Sequence, residues 1–137
     1  TDLVYTLTLS RFAQDFVSDH PQWGRVREGD ALPYVPVHQA AFIGSASGKA
    51  WDVGLSISYV SAMRDVAGQG ALPPGEGTDP FVVLDASAAY RITPGSQLYL
   101  RADNLLTARY ISSQRPFGAR PGKPLHFMVG YKYNFAL

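Results

Sequence analysis

The sequence predicts an all-β protein, folded as an antiparallel up-and-down meander of about six strands. Three observations lead there. The 137 residues include 13 glycines and 10 prolines, which interrupt the chain too often for long helices. Eight tyrosines and seven phenylalanines, with many valines and threonines, favour the pleated surface of a sheet. Apolar and polar residues alternate with period two through several windows, the pattern of a strand with two unlike faces.

The first strand runs from Asp2 to Phe12, where Leu3, Tyr5, Leu7 and Leu9 alternate with Thr6, Thr8 and Ser10. A weaker one covers Pro36 to Ser47, with Ala41, Phe42 and Ile43; without it the chain would need a structureless connection of nearly forty residues. In the third, Trp51, Val53, Leu55, Ile57 and Tyr59 alternate with Asp52, Gly54, Ser56 and Ser58. The fourth, Val82 to Ile92, sets Val82, Leu84, Ala86, Ala88 and Tyr90 against Asp85, Ser87 and Arg91. Leu98, Leu100 and Ala102 mark the fifth, from Leu98 to Leu106. The sixth, Leu125 to Phe135, has Phe127, Val129, Tyr131 and Tyr133 opposite His126, Met128, Gly130 and Lys132.

Connections alternate in length. Ser47–Ala50 and Thr93–Ser96 are tight turns, whereas 13–35, 65–79 and 112–123 are long and rich in glycine, proline and charge. In a meander, successive connections fall at opposite ends of the sheet, so the short turns share one end and the long loops the other. An outer-membrane barrel has that asymmetry. Trp51, Tyr90, Tyr133 and Phe135 lie near the turn end and Tyr59 near the loop end, the placement of two interfacial girdles. The opposite face carries Asp85, Arg91, Arg101, Asp103, His126 and Lys132, too many charges for the filled interior of a six-stranded barrel. The chain therefore reads as one wall of a larger transmembrane β-barrel. A soluble β-domain with an apolar interior shares the alternation and is the alternative.

Composition narrows the function classes. A net charge of +1 lacks the basic face of a nucleic-acid binder. No window approaches 18 uninterrupted apolar residues, so a transmembrane helix is excluded. Cysteine is absent, which removes disulfides and thiolate metal sites. Gly44–Ala50 is one residue short of a phosphate-binding loop and lacks its terminal Ser or Thr. His20, His38 and His126 share no metal-ligand spacing, and Asp15, Asp19, Glu28 and Asp30 read as a solvated face of the first long loop. No catalytic set, metal site or cofactor is expected.

Four segments in order resemble the C-terminal part of TonB-dependent outer-membrane receptors. Leu32-Pro33-Tyr34-Val35-Pro36-Val37-His38 resembles the segment entering a descending strand. Leu98–Leu106, with Asn104-Leu105-Leu106, resembles the penultimate strand. Tyr110 and Gly118–Pro124 resemble the last outer loop and its Pro-Gly-x-Pro return, and Gly130–Phe135 resembles the terminal assembly signal. Leu125-His126, where the family usually has Arg-Thr, Met128, and the Ala136-Leu137 extension depart from the pattern. Phe16–Gly24 resembles the ferric-dicitrate branch.

The resemblance implies a 22-stranded barrel with an N-terminal plug, of which residues 1–137 are the C-terminal part without plug or earlier strands. It implies import of a ferric chelate, driven through TonB by way of the plug, in an outer membrane whose lipid and lipopolysaccharide contact the barrel. It implies no enzyme. Such chelates are anionic, so Gln114, Arg115 and Arg120 in the last long loop are the expected ligand contacts. A passive barrel, porin or autotransporter translocator, is the rival within the membrane. The isolated chain, with two unpaired edges, is expected to be oligomeric or aggregated.

Overall fold

Alternating sequences that face different surroundings on their two sides pair most readily with their nearest neighbours in the chain, and the computed structural model does so throughout. It describes residues 1–20, 23–114 and 117–135. Six strands form one sheet: β1 (Asp2–Leu7), β2 (His38–Ser47), β3 (Trp51–Val60), β4 (Phe81–Thr93), β5 (Ser96–Asp103) and β6 (His126–Tyr133). Each is antiparallel to the next, in chain order across the sheet. Among the described residues there is no helix. The meander and both tight turns stand as the sequence predicts.

Several strand ends differ from the expectation: β2 starts at His38 rather than Pro36 and β5 at Ser96 rather than Leu98, and three strands stop early. β1 stops at Leu7 rather than Phe12. Thr8 N–H still reaches Val37 O (3.0 Å), but Arg11 then bridges Ala31 and Phe12 N–H bonds Asp30 O (2.9 Å). The chain has turned from β2 onto its own returning loop. β5 stops at Asp103 because Asn104 takes a left-handed backbone, φ 53°. β6 ends at Tyr133, with Asn134 N–H closing onto Gly95 O (2.8 Å).

Register gathers the apolar set into continuous rows. Trp51, Tyr90, Leu98 and Tyr131 align across four strands near the tight-turn end. Tyr5, Ala40, Tyr59 and Val82 align near the loop end. Along β3 these rows are about 26 Å apart at the usual rise per residue. On the other face run Ser45, Gly54, Ser87, Arg101 and Met128, then Asp52, Ala89, Tyr99 and Gly130. Gly130 matters there: a Cβ at this position would collide with the Tyr99 ring lying across it.

Solvent exposure is inverted relative to a soluble sheet. Trp51, Val53, Leu55, Ile57 and Tyr59 are 37–45% exposed, while the polar residues between them are more covered. Among the described residues the buried apolar side chains are Val26, Met63, Val83 and Ala102, and the first two belong to loops. The alternation does not build a core between two layers.

Candidate functional site

The long connections converge at one end of the sheet: loop 1 (8–37), loop 2 (61–80) and loop 3 (104–125). Sequence reading leaves them as open loops, yet each folds back on itself. Phe16–Val17 pairs with Arg25–Val26, Met63–Arg64 with Gly77–Thr78, and Ile111–Ser113 with Arg120–Pro121. Short ladders of two or three residues carry too little periodicity to register in a sequence window.

Loop 3 rests on a rigid base. The Asn104 side chain is fully buried and bridges the loop's two stems: Nδ2 donates to Ala108 O (3.0 Å) and Lys123 O (2.7 Å), and Oδ1 accepts from Ala108 N–H (2.9 Å). Its own N–H donates to Asp85 Oδ1 (2.8 Å), which fixes the base to β4. Tyr110 stacks on Phe81 with centroids 4.0 Å apart, and Gly122 packs so closely on the Tyr110 ring that a Cβ would not fit. The Pro-Gly-x-Pro glycine thus serves a close approach to an aromatic face.

Above this base lies a cavity of about 530 Å³ between loops 2 and 3, lined among others by Asp79, Arg109, Tyr110, Gln114, Gly122 and Lys123. Most other described arginines near the sheet are engaged. Arg91 pairs with Asp52 (2.5 Å) and donates to Gly48 O (2.7 Å) at the tight-turn end. Arg101 pairs with Asp103 (2.9 Å), a buried carboxylate that Lys123 (3.7 Å) and His126 (3.6 Å) also approach. Arg64 donates to the carbonyls of Gln69, Gly70 and Ala71. Arg109 and Arg120 are exposed and, among the described residues, make no ion pair.

Of the expected ligand contacts, Gln114 lines the cavity and is half-buried, with Nε2 donating to Gly77 O (2.6 Å). Arg120 is exposed on the short ladder, its carbonyl accepting from Ser112 Oγ (3.0 Å). Arg115 lies outside the described residues. The structure therefore places Gln114 and Arg120 on one loop and engages Gln114 in holding it. Arg109, Lys123 and Asp79 escaped sequence reading, because only the fold of loop 3 over loop 2 brings them together.

The decoys resolve locally. Gly44–Ser47 is strand and Gly48–Ala50 its tight turn, so no phosphate-binding loop exists. Asp30 is a correction: instead of forming a solvated face it is buried, and its Oδ2 caps Arg27 N–H (2.8 Å). Asp15 caps Glu28 N–H (2.6 Å) in the same way. Among the described residues, no group of three or more His, Asp or Glu side chains could hold a metal ion.

A family model described as "TonB dependent receptor-like, beta-barrel" matches residues 2–105. No curated protein matches the chain. Among solved structures, the closed form of the ferric-catecholate import receptor Fiu from Escherichia coli K12 is similar with a TM-score of 0.74 and 22% identity over 97% of this chain. Its open form is similar with a TM-score of 0.65 and 25% identity over 81%. The chain spans 18% of the length of either receptor chain.

Proposed function

The chain belongs to the TonB-dependent receptor-like β-barrel family, and from that membership we propose that it forms the last strands of an outer-membrane barrel importing a ferric chelate. In this reading residues 1–137 are the C-terminal part of the barrel, and the plug and earlier strands belong to the rest of the receptor. The observation that carries it is the exposed apolar face of β1–β6, with Trp51, Tyr90 and Tyr131 toward the tight turns and Tyr5 and Tyr59 toward the loops. Such a face suits lipid, with lipopolysaccharide at its outer rim, and the charged face suits a wet lumen. The work is binding and gated transport, powered from the inner membrane through TonB, without bond chemistry.

Ferric chelates are anionic, which suits Arg109 and Lys123 at the loop-end cavity together with Arg115 and Arg120 of the same loop. Similarity to a receptor that imports ferric catecholates favours that class of cargo. The resemblance of Phe16–Gly24 to the ferric-dicitrate branch supports ferric citrate as the second reading.

Uptake of radiolabelled iron(III) catecholate by cells producing the intact receptor tests the proposal. Saturable uptake that stops when TonB is removed is the expected result. Uptake persisting without TonB would identify a passive barrel. No uptake of the catecholate, with saturable TonB-dependent uptake of radiolabelled ferric citrate by the same cells, would select the dicitrate branch.

A further inference from the structure

Tyr34 occupies an unusual place in loop 1. It sits between Pro33 and Val35-Pro36 with φ 55°, a left-handed conformation that a bulky side chain rarely adopts. Bonds to other loops hold it there. Its N–H donates to Arg64 O of loop 2 (2.9 Å), and its hydroxyl accepts from Gln114 N–H of loop 3 (2.9 Å). Gln114 in turn donates through Nε2 to Gly77 O of loop 2 (2.6 Å), and Gly77 is the ladder partner of Arg64. The circuit Tyr34, Arg64, Gly77, Gln114 therefore closes on itself and passes through all three loops.

Neighbouring bonds support the same assembly. Gln69 Nε2 donates to Glu28 O (3.0 Å) and Ala31 N–H to Gly68 O (2.9 Å), joining loops 1 and 2 again. Loop 3 enters the circuit through Gln114, one residue beyond the Ile111–Ser113 strand that pairs with Arg120–Pro121. Whatever fixes Gln114 also fixes the ladder that presents Arg120. Left-handed strain at a residue bonded on both sides marks a conformation determined by its surroundings.

We infer that Tyr34 is a positioning residue for the chelate: its hydroxyl sets the stem of loop 3, so affinity depends on it although it does not touch the ligand. This rests on the reading that loop 3 carries chelate contacts. A hydroxyl-to-amide bond contributes modestly, so Tyr34→Phe weakens binding about fivefold rather than abolishing it.

The test uses the intact receptor in detergent micelles, with iron(III) tris-catecholate as the probe. Two quantities are measured for wild type and Tyr34→Phe: probe affinity, and hydrogen exchange of the Gln114 amide without ligand. Faster exchange together with about fivefold weaker binding supports the inference. Weaker binding with unchanged exchange overturns it, because Tyr34 then acts by direct contact. Faster exchange with unchanged affinity also overturns it, since the stem position is then irrelevant to binding. A wild-type receptor that ignores the probe sinks the catecholate reading and leaves the tie judged by exchange: unchanged exchange in Tyr34→Phe and in Gln114→Ala overturns it, and acceleration of loop 1 and loop 3 amides together in both supports it.

Discussion

Asn104 shows how one residue can terminate a strand and close a loop. Its left-handed backbone suits asparagine better than other non-glycine residues, and its carboxamide satisfies three main-chain groups of loop 3 in a buried place. Asn104→Ala leaves those groups unpaired and keeps the backbone strain, so it is expected to cost about 3 kcal/mol in a reversible unfolding assay of the intact receptor. Asn104→Gly relieves the strain and should cost less. A loss equal to that of alanine would mean that the backbone conformation contributes nothing. For ligand binding, Arg120→Ala and Arg115→Ala should each weaken an anionic chelate by about 1.5–3 kcal/mol while leaving barrel assembly intact. Unchanged titration curves for the double variant would remove loop 3 from the site.

On the scale of elements, the strands were legible because a period of two survives any register, and register was legible only where a tight turn joins the pair. Ala46 opposite Val53, across the turn at 47–50, is what neighbouring alternating strands must produce once that turn is placed, whereas Trp51 opposite Tyr90 and Leu100 opposite Val129 are reached across long loops. The end of β1 was not legible. Leu9 continues the alternation, but Arg11 and Phe12 bond Ala31 and Asp30, more than fifteen residues away in the chain. Loop structure was hidden for the same reason: Tyr34 meets Gln114 across 80 residues of sequence. Motif resemblance pointed to Tyr34, Asn104 and Gly122 without saying what they do. Geometry supplies the reasons: a three-loop tie, a buried bridge and an aromatic contact.

The two faces of β5 predict opposite responses to charge. Leu100 is exposed on the apolar face beside Ala88 and Val129, one step in from the tight-turn row, so Leu100→Arg should destabilise membrane insertion by about 2 kcal/mol, between the interfacial and midplane costs. Arg101→Leu, on the other face, removes a pair from Asp103 but leaves Lys123 and His126 near the carboxylate, and should cost much less. Urea-induced unfolding of both variants in lipid vesicles compares the penalties. Equal losses would contradict the assigned faces.

For the whole molecule, the sheet has an open edge on β1 and another on β6, and its apolar rows are uncovered. A protein of this kind in water would join its edges to other chains. The isolated 137-residue chain is therefore expected to sediment as an oligomer or aggregate in detergent-free buffer. A monodisperse monomer with protected amides on both edges would favour a soluble β-domain. The central claim, that the apolar face meets lipid, has a more direct test in the intact receptor. This segment contains no cysteine, so single nitroxide labels can be placed along β3 at positions 53 to 57 without competing thiols in it. In lipid vesicles, accessibility to apolar oxygen should peak at 53, 55 and 57, and accessibility to a water-soluble nickel reagent at 54 and 56. The reverse pattern, or none, would contradict the account.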